Sequence, residues 1–390
     1  MVETLNNRIQ DGKVDLEEIG LMIVDEAHYN SFRKLFKYFE HSFILGVTAT
    51  PLSSNIKLPM KDIYDELITG TTITNLVNKG FLARANTFVY SVNGLTSLKV
   101  GINGDYTVSS SEVFYSSNVM QGKLLRAYEE RSKGKKVLIF NNGINTSKQV
   151  FVTFASKGYK IRHLDSNTPK QMRKDILQWF KLTPDAILTS VGILTTGFDE
   201  PSINTIIMNR ATKSPTLYYQ MIGRGSRVFK NKSEFDVIDL GNNVARFGLW
   251  ETEVNWQKIF RSPQYFLDSI ISDDEIERSI RYEMPEVILK EFSKTENVKF
   301  DIEKVAVEVT KANLKTEVII DRSIEQHIQM IKENAEDFAD SLRLIRLLND
   351  DIEDRVRRYT YQLSKSTKNF YKWALDDYKS RLKRGVMKKF

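Results

Sequence analysis

Four short stretches of this sequence combine residue types that handle phosphate, metal and water. Val24-Asp25-Glu26-Ala27-His28 directly follows the apolar run Leu21–Val24. An Asp in that place can hold Mg²⁺ through water while a neighbouring Glu polarises an attacking water. An acidic strand-to-helix turn, with Asp or Glu as the cap, fits the same residues. Thr48-Ala49-Thr50-Pro51 follows Asp25 by 23 residues, again behind an apolar run. Its two hydroxyls could link a nucleotide site to a neighbouring surface, or simply form a Thr-rich turn stopped by Pro51. Thr195-Thr196-Gly197-Phe198-Asp199-Glu200-Pro201 is a glycine-containing turn with a carboxylate at its far side. That suits ribose or metal recognition, and equally a plain strand-to-helix loop. Gln220-Met221-Ile222-Gly223-Arg224-Gly225-Ser226-Arg227 places two arginines three apart, where one helical turn could present both guanidinium groups to one phosphate. Gly223 and Gly225 each disfavour a helix by roughly 1 kcal/mol against Ala, so they point to close backbone approach. A solvated basic turn is the bland alternative.

These stretches need elements that hold them in place. Apolar runs at Leu21–Val24, Phe43–Val47, Val137–Phe140, Ala186–Leu188, Thr205–Met208 and Phe235–Ile238 alternate with amphipathic patterns such as Lys170–Phe180. Continuous apolar strands separated by helices predict an α/β fold with parallel sheets covered on both faces. In such sheets ligands gather beyond the carboxyl ends of the strands. Asp25, Glu26, Thr48, Thr50, Asn141, Asn142 and Ser190 all stand at such ends. Residues 91–118 are rich in Ser, Gly and Asn and read as a linker or excursion between two α/β halves. From about residue 268 the strand signal fades, and Ile324, Ile328, Ile331, Ala335, Phe338, Leu342, Ile345, Leu348 and Ile352 recur at spacings of three or four. One long helix, or two with a break, carries that stripe.

Composition narrows the class. A chain of 390 residues with 41 % hydrophobic residues forms cores, so wholesale disorder is excluded. The absence of cysteine excludes a disulfide scaffold, cysteine-ligated zinc, an iron–sulfur cluster and a cysteine nucleophile. His41, His163 and His327 lack ligand spacing, so no transition-metal site is expected. No run approaches the ~18 apolar residues of a membrane span, which makes a soluble intracellular protein the expectation. The net charge of +7 divides into +8 over residues 1–267, −11 over 268–354 and +10 over 355–390. A basic body and a basic end point toward nucleic acid. In the last segment Arg355, Arg357, Arg358, Tyr359, Tyr361, Lys368, Phe370, Tyr371, Lys372, Trp373 and Tyr378 interleave cations with rings. They fit either an arm tracking a strand or a helix packing its aromatics on the body, and the acidic segment could neutralise them internally.

Taken in order, DEAH at 25–28, TATP at 48–51, a strand ending in Phe140-Asn141, TTGFDEP at 195–201 and QMIGRGSR at 220–227 resemble the superfamily 2 helicases and translocases. Ile193–Asp199, Ser214–Tyr218 before Gln220, and Asp239–Gly248 are similar to the RadD-like DEAD/DEAH-box DNA helicases and to type III restriction Res subunits. The resemblance spans about residues 2–256. It implies two RecA-like domains with ATP in the cleft between them, driving movement on nucleic acid, DNA in preference to RNA. Asp25 would bind Mg²⁺ and Glu26 would activate the hydrolytic water. His28 would couple the nucleotide to the inter-domain contact, and Thr48 and Thr50 would link hydrolysis to grip on the strand. Gly197 and Gln220 would border the nucleotide, with Asp199 near the ribose. Arg224 and Arg227 would reach across the cleft as arginine fingers, which can be worth ~10³–10⁵ in rate. Thr195, Thr196 and Asn141 would contact the strand backbone.

One departure stands against these matches. The family opens with G-x-x-x-x-G-K-[ST], whose amides and lysine hold the β- and γ-phosphates. Here the Gly-Lys pairs run Gly12-Lys13-Val14, Gly122-Lys123-Leu124 and Gly134-Lys135-Lys136, and none is followed by Ser or Thr. The expectation is therefore part of a first RecA-like domain over 1–85, a second one over 86–256 and a helical accessory region over 257–390. ATP hydrolysis by the chain alone would be very weak, residues 1–80 its least stable part, and a separate polypeptide would supply the phosphate-loop half. A non-hydrolysing nucleic-acid-binding remnant and a restriction-enzyme motor subunit are the rival readings.

Overall fold

A computed structural model describes residues 2–387 apart from 17, 54–56, 196, 231, 281 and 364–367. The chain divides into two compact units, Met1–Glu277 and Arg278–Phe390. The first unit carries all the strands among the described residues and is α/β, as expected; its sheets are parallel throughout.

Strands β1 (Leu21–Asp25) and β2 (Phe43–Val47) form a two-stranded sheet, with Leu21 beside Phe43 and Asp25 beside Val47. Side chains alternate between the faces of a strand. Met22, Val24 and Ile44 therefore point one way, onto Ala27, Met60 and Phe260. Gly46 lies on that face because a Cβ there would meet the Tyr64 ring at 2.7 Å and Ala27 at 2.8 Å. Leu21, Ile23, Phe43, Leu45 and Val47 point the other way and are exposed, Phe43 to 82 %. No described residue covers that apolar face.

The second sheet has six strands: β3 (Arg84–Val89), β4 (Val137–Asn141), β5 (Ile161–Leu164), β6 (Ile187–Ser190), β7 (Thr205–Asn209) and β8 (Glu234–Asp239), in the order β3-β8-β7-β4-β6-β5. Its central strands are apolar on both faces because both are covered. Leu138, Phe140, Ile206 and Met208 enter one core, whereas Val137, Ile139 and Ile207 enter the other.

Residues 91–118, expected as a linker or excursion between two halves, are part of this second sheet's packing. Val92, Leu95, Leu98, Tyr106 and Tyr115 are buried in the same core as Val137 and Ile139. Helix α1 (Val108–Tyr115) is capped by Thr107 and leads into α2 (Asn118–Arg131), capped by Ser117. The Ser, Gly and Asn content serves caps and turns between buried anchors, not a free connection. Helix α3 (Pro215–Gly223) follows β7. The expected accessory boundary at 256–257 also differs, since the first compact unit runs to Glu277. Asp273 ties that extension down, accepting hydrogen bonds from Tyr106 Oη at 2.6 Å and from Arg246.

The second unit is helical among the described residues: α4 (Ile302–Lys311), α5 (Glu317–Asn334), α6 (Phe338–Leu347), α7 (Asn349–Tyr361) and α8 (Lys368–Met387) are its longer helices. The apolar stripe expected on one helix or two is divided among three. Ala335 leaves the helix with ψ 133°, and Asp337 starts the next by accepting from the Asp340 amide at 2.7 Å. Ile320, Ile324, Ile328, Leu344, Ile352, Val356, Tyr378 and Leu382 share one core.

Acids of the same unit neutralise five of the eight tail cations whose side chains are described. Arg355 pairs with Asp351 at 2.7 Å, Arg357 with Asp354, Arg358 with Glu303, and Arg381 with Asp321 at 2.6 Å. Tyr359 and Tyr378 are buried. An arm made of that whole stretch is therefore corrected, because Arg355, Arg357, Arg358, Lys379 and Arg381 face acids of the same unit.

Candidate active site

Strand β1 ends where the chain turns sharply, and the turn is made by Glu26. Its φ of 53° lies in the left-handed region, uncommon for a residue with a Cβ and a signature of backbone held for function. The Glu26 amide donates to Asp25 Oδ1 at 2.9 Å, which fixes the turn and leaves Asp25 exposed at the strand end. Glu26 faces a cleft of about 870 Å³ bordered by Thr48, Pro51, Gln220, Gly223, Arg224 and Arg227. Burial raises the Glu26 pKa, and the negative charge of Asp25 raises it further, while Arg224 and Gln220 draw it back. A carboxylate of raised pKa beside a fixed cation is suited to take a proton from water.

His28 is buried beneath the same turn, and its Nδ1 lies 2.9 Å from Thr48 Oγ1. Burial lowers its pKa to about 4. It is consequently neutral near pH 7, and its 3.4 Å approach to Glu26 is not an ion pair there. Thr48 Oγ1 also accepts from the Thr50 amide at 3.1 Å, so the DEAH and TATP stretches form one unit. His28 Nε2 and Thr50 Oγ1 are buried with no hydrogen-bond partner among the described residues. Orphaned polar groups of this kind mark a place where a ligand or a moving group is accommodated.

The opposite wall comes from α3, whose N-cap Ser214 accepts from the Leu217 amide. Asp105 clamps its approach, accepting from Thr212 Oγ1 and the Lys213 amide at 2.7 Å each. Gln220 therefore sits on a fixed helix facing Glu26. The helix ends at Gly223, so Arg224 and Arg227 do not share a helical turn as their spacing suggested. Arg224 Nε donates to the Thr195 carbonyl at 3.1 Å and its Nη1 to the Phe198 carbonyl at 2.5 Å. Arg227 pairs with Asp199 at 3.2 Å, and both are largely exposed. Gly225 is confined as its type suggested, since a Cβ would lie 2.3 Å from the Phe235 ring, whereas Gly223 borders open space.

Thr195 is nearly buried and its hydroxyl donates to the Gly192 carbonyl at 2.8 Å. It acts here as a holder of Arg224 rather than an exposed contact. Gly197 takes a positive φ of 67° in the same loop, and Thr196 lies outside the described residues. Asn141 corrects its assignment to the strand backbone. It is 1 % exposed, donates to Thr189 Oγ1 at 2.8 Å and accepts from Asn209 at 2.8 Å, so its amide links strands inside the sheet. Asp239 is likewise internal, accepting from the Gly241 and Val244 amides at 2.9 and 2.7 Å. Sequence reasoning missed Tyr29, which adjoins His28 with its phenol pKa raised by burial and by Glu26. It also missed Trp250 and Trp256 on the cleft wall; adjacency to DEAH signals the first, and nothing local signals the others.

An acid-bearing strand end faces an arginine-bearing segment that follows α3, and the chain is similar to the superfamily 2 helicases. Residues 120–229 match the helicase conserved C-terminal domain, and residues 1–53 match the res subunit of type III restriction enzymes. A 51.5 kDa protein of a Lactococcus phage is 28 % identical over 63 % of this chain and 54 % of its own length. A candidate ATP-dependent helicase of Saccharomyces cerevisiae, IRC3, is 26 % identical over 61 % of this chain and 36 % of its own. A fragment of a candidate HsdR subunit of a type I restriction enzyme from Vibrio vulnificus aligns over 56 % of this chain and 43 % of its own, at 23 % identity and a TM-score of 0.45. The chain spans about half or less of the length of these curated relatives. No described helix is long and apolar enough to cross a membrane.

Proposed function

We propose that this chain provides the water-activating and arginine-presenting parts of an ATP-driven motor that moves on nucleic acid, DNA in preference to RNA. The observation that carries this is the convergence of Glu26, Gln220 and Arg224 on one cleft, with the orphaned His28 nitrogen beneath it. ATP supplies the phosphoanhydride whose cleavage drives cleft opening and closing in such motors. Glu26 takes a proton from the attacking water; Arg224 and Arg227 offset the charge that develops opposite. Gln220 stands opposite Glu26 on the helix that ends just before Arg224, and Asp199 orients Arg227. Mg²⁺ binding ordinarily combines one or two carboxylates with phosphate oxygens and water, and exposed Asp25 fits that modest share. No group of three acidic or histidine side chains forms a self-sufficient metal cage among the described residues.

The phosphate loop has no counterpart in the 390 residues, so in this reading a further polypeptide segment supplies it. The uncovered face of β1 and β2 and their unpaired edges are where such strands would add. DNA-stimulated phosphate release from the 390-residue chain, alone and with a polypeptide bearing that half, tests this. The chain alone is expected to be silent, and Glu26→Gln to silence the mixture. Robust turnover by the chain alone overturns the division of labour. A restriction-enzyme motor is a second reading, favoured by the match of residues 1–53 to a res subunit; translocation coupled to cleavage would identify it.

A further inference from the structure

Five of the eight tail cations whose side chains are described pair with acids of the second unit, which isolates the other three. Lys372, Trp373, Lys383 and Arg384 are exposed on α8, and the three cations make no ion pair among the described residues. At 100° per residue they fall within about a third of the helix circumference, together with Asp376 as the single acid. The opposite side of α8, with Ala374, Tyr378, Leu382 and Val386, is buried in the core of the unit. The stripe is thus a face left over after folding, not one needed for it.

Trp373 distinguishes this face from an ordinary solvated one. It is 61 % exposed, whereas Trp250 is 4 % exposed and Trp179 and Trp256 are only partly accessible. Its ring lies 5.6 Å from that of Phe370, one turn earlier. Phe370 packs against the core, so it props the indole from below while the outer surface stays open to solvent. A propped, rigid indole flanked by unpaired cations is the arrangement that stacks a base and holds the adjoining phosphates. From Trp373 to Arg384 the helix advances ~16 Å, which matches ~5 nucleotides of a stacked strand at 3.4 Å each.

We infer that the Lys372–Trp373–Lys383–Arg384 face of α8 is a second nucleic-acid contact, specific for single strands. It does not depend on the motor site: a chain with no ATP turnover would still show it. Charge complementarity chooses a polyanion, and the exposed indole chooses an unpaired base over a stacked duplex. The stripe carries three cations against one acid.

Anisotropy of a labelled 20-mer oligo(dT) with the 390-residue chain, across a salt series, tests this. Trp373→Ala is expected to weaken binding ~5–150-fold, the loss of one base–indole stack, and Trp373→Phe much less. Lys372→Gln, Lys383→Gln and Arg384→Gln together should lower the slope of log affinity against log salt by ~2, from three phosphate contacts. All four positions are exposed, so folding should survive; if the alanine variant misfolds, the charge variant alone decides. Unchanged affinity and slope in both would overturn the inference and leave the stripe to a protein partner or to solvent. Loss confined to a duplex of the same length would overturn its single-strand specificity.

Discussion

Phe140 and Phe43 both lie in short parallel strands of apolar sequence, yet one is 1 % and the other 82 % exposed. The difference is made by what packs against them. The six-stranded sheet is covered on one face by the core containing Ile176, Phe180 and Tyr218, and on the other by that containing Tyr115, Leu124 and Phe154. The two-stranded sheet has one small cluster beneath it and, among the described residues, none above. An apolar run thus reports what a strand is built to meet, and not whether that partner lies in the same folded body. The two-stranded sheet is shaped for company, and the six-stranded one already has it.

The strongest way to break this comparison is to remove a side chain from the covered sheet. Phe140→Ala should lower the unfolding free energy by ~3–5 kcal/mol in denaturant titration, because the ring has no solvent route to replace its contacts. A loss below ~1 kcal/mol would mean the two sheets are not distinct. Next, Gly225→Ala pushes a methyl against Phe235 and should cost ~1–3 kcal/mol by the same measurement; a neutral result would show that the ring has room to yield.

A smaller effect follows from His28, whose pKa falls from 6.5 to about 4 on folding. The unfolded chain then binds more protons between these values, so the stability of the turn is full above pH ~6.5 and declines as pH falls toward 4. Proteolysis within residues 1–80 should accelerate over that window, and His28→Gln should flatten the dependence. A flat wild-type profile would contradict it. His327, also lowered to about 4, adds the same sign in the other unit. There its Nε2 lies 2.7 Å from Asp351, its Nδ1 2.9 Å from Tyr378, and Arg355 approaches from α7. The smallest effect is expected from Phe43→Ser, within ~0.5 kcal/mol of the parent. Reduced self-association in sedimentation would accompany it, and a large destabilisation would show that this face is already occupied.

Six of the eight strands were legible because their residues are apolar on both faces or end in polar clusters. Strands β3 and β5 were not: Arg84-Ala-Asn-Thr-Phe-Val89 and Ile161-Arg-His-Leu164 mix polar and apolar residues as sheet edges do. Segment 91–118 misled because its anchors, Leu95, Leu98, Tyr106 and Tyr115, are spaced too irregularly to signal a core. At the site, the order of motifs was legible and the use of each polar group was not. Asn141 at a strand end looks the same whether it faces a ligand or the neighbouring strands, and only the fold shows the latter. Arg224 shows the converse, since carbonyls of a loop about thirty residues earlier set its aim.

The left-handed backbone of Glu26 sets endurance against output. A side chain held there raises the energy of the folded chain by about 1–2 kcal/mol relative to glycine. Stability alone would favour glycine at this position, whereas the proposed function needs the carboxylate. The two demands meet at one residue, so Glu26→Gly is expected to resist denaturant better and to lose the step assigned to Glu26 in that proposal.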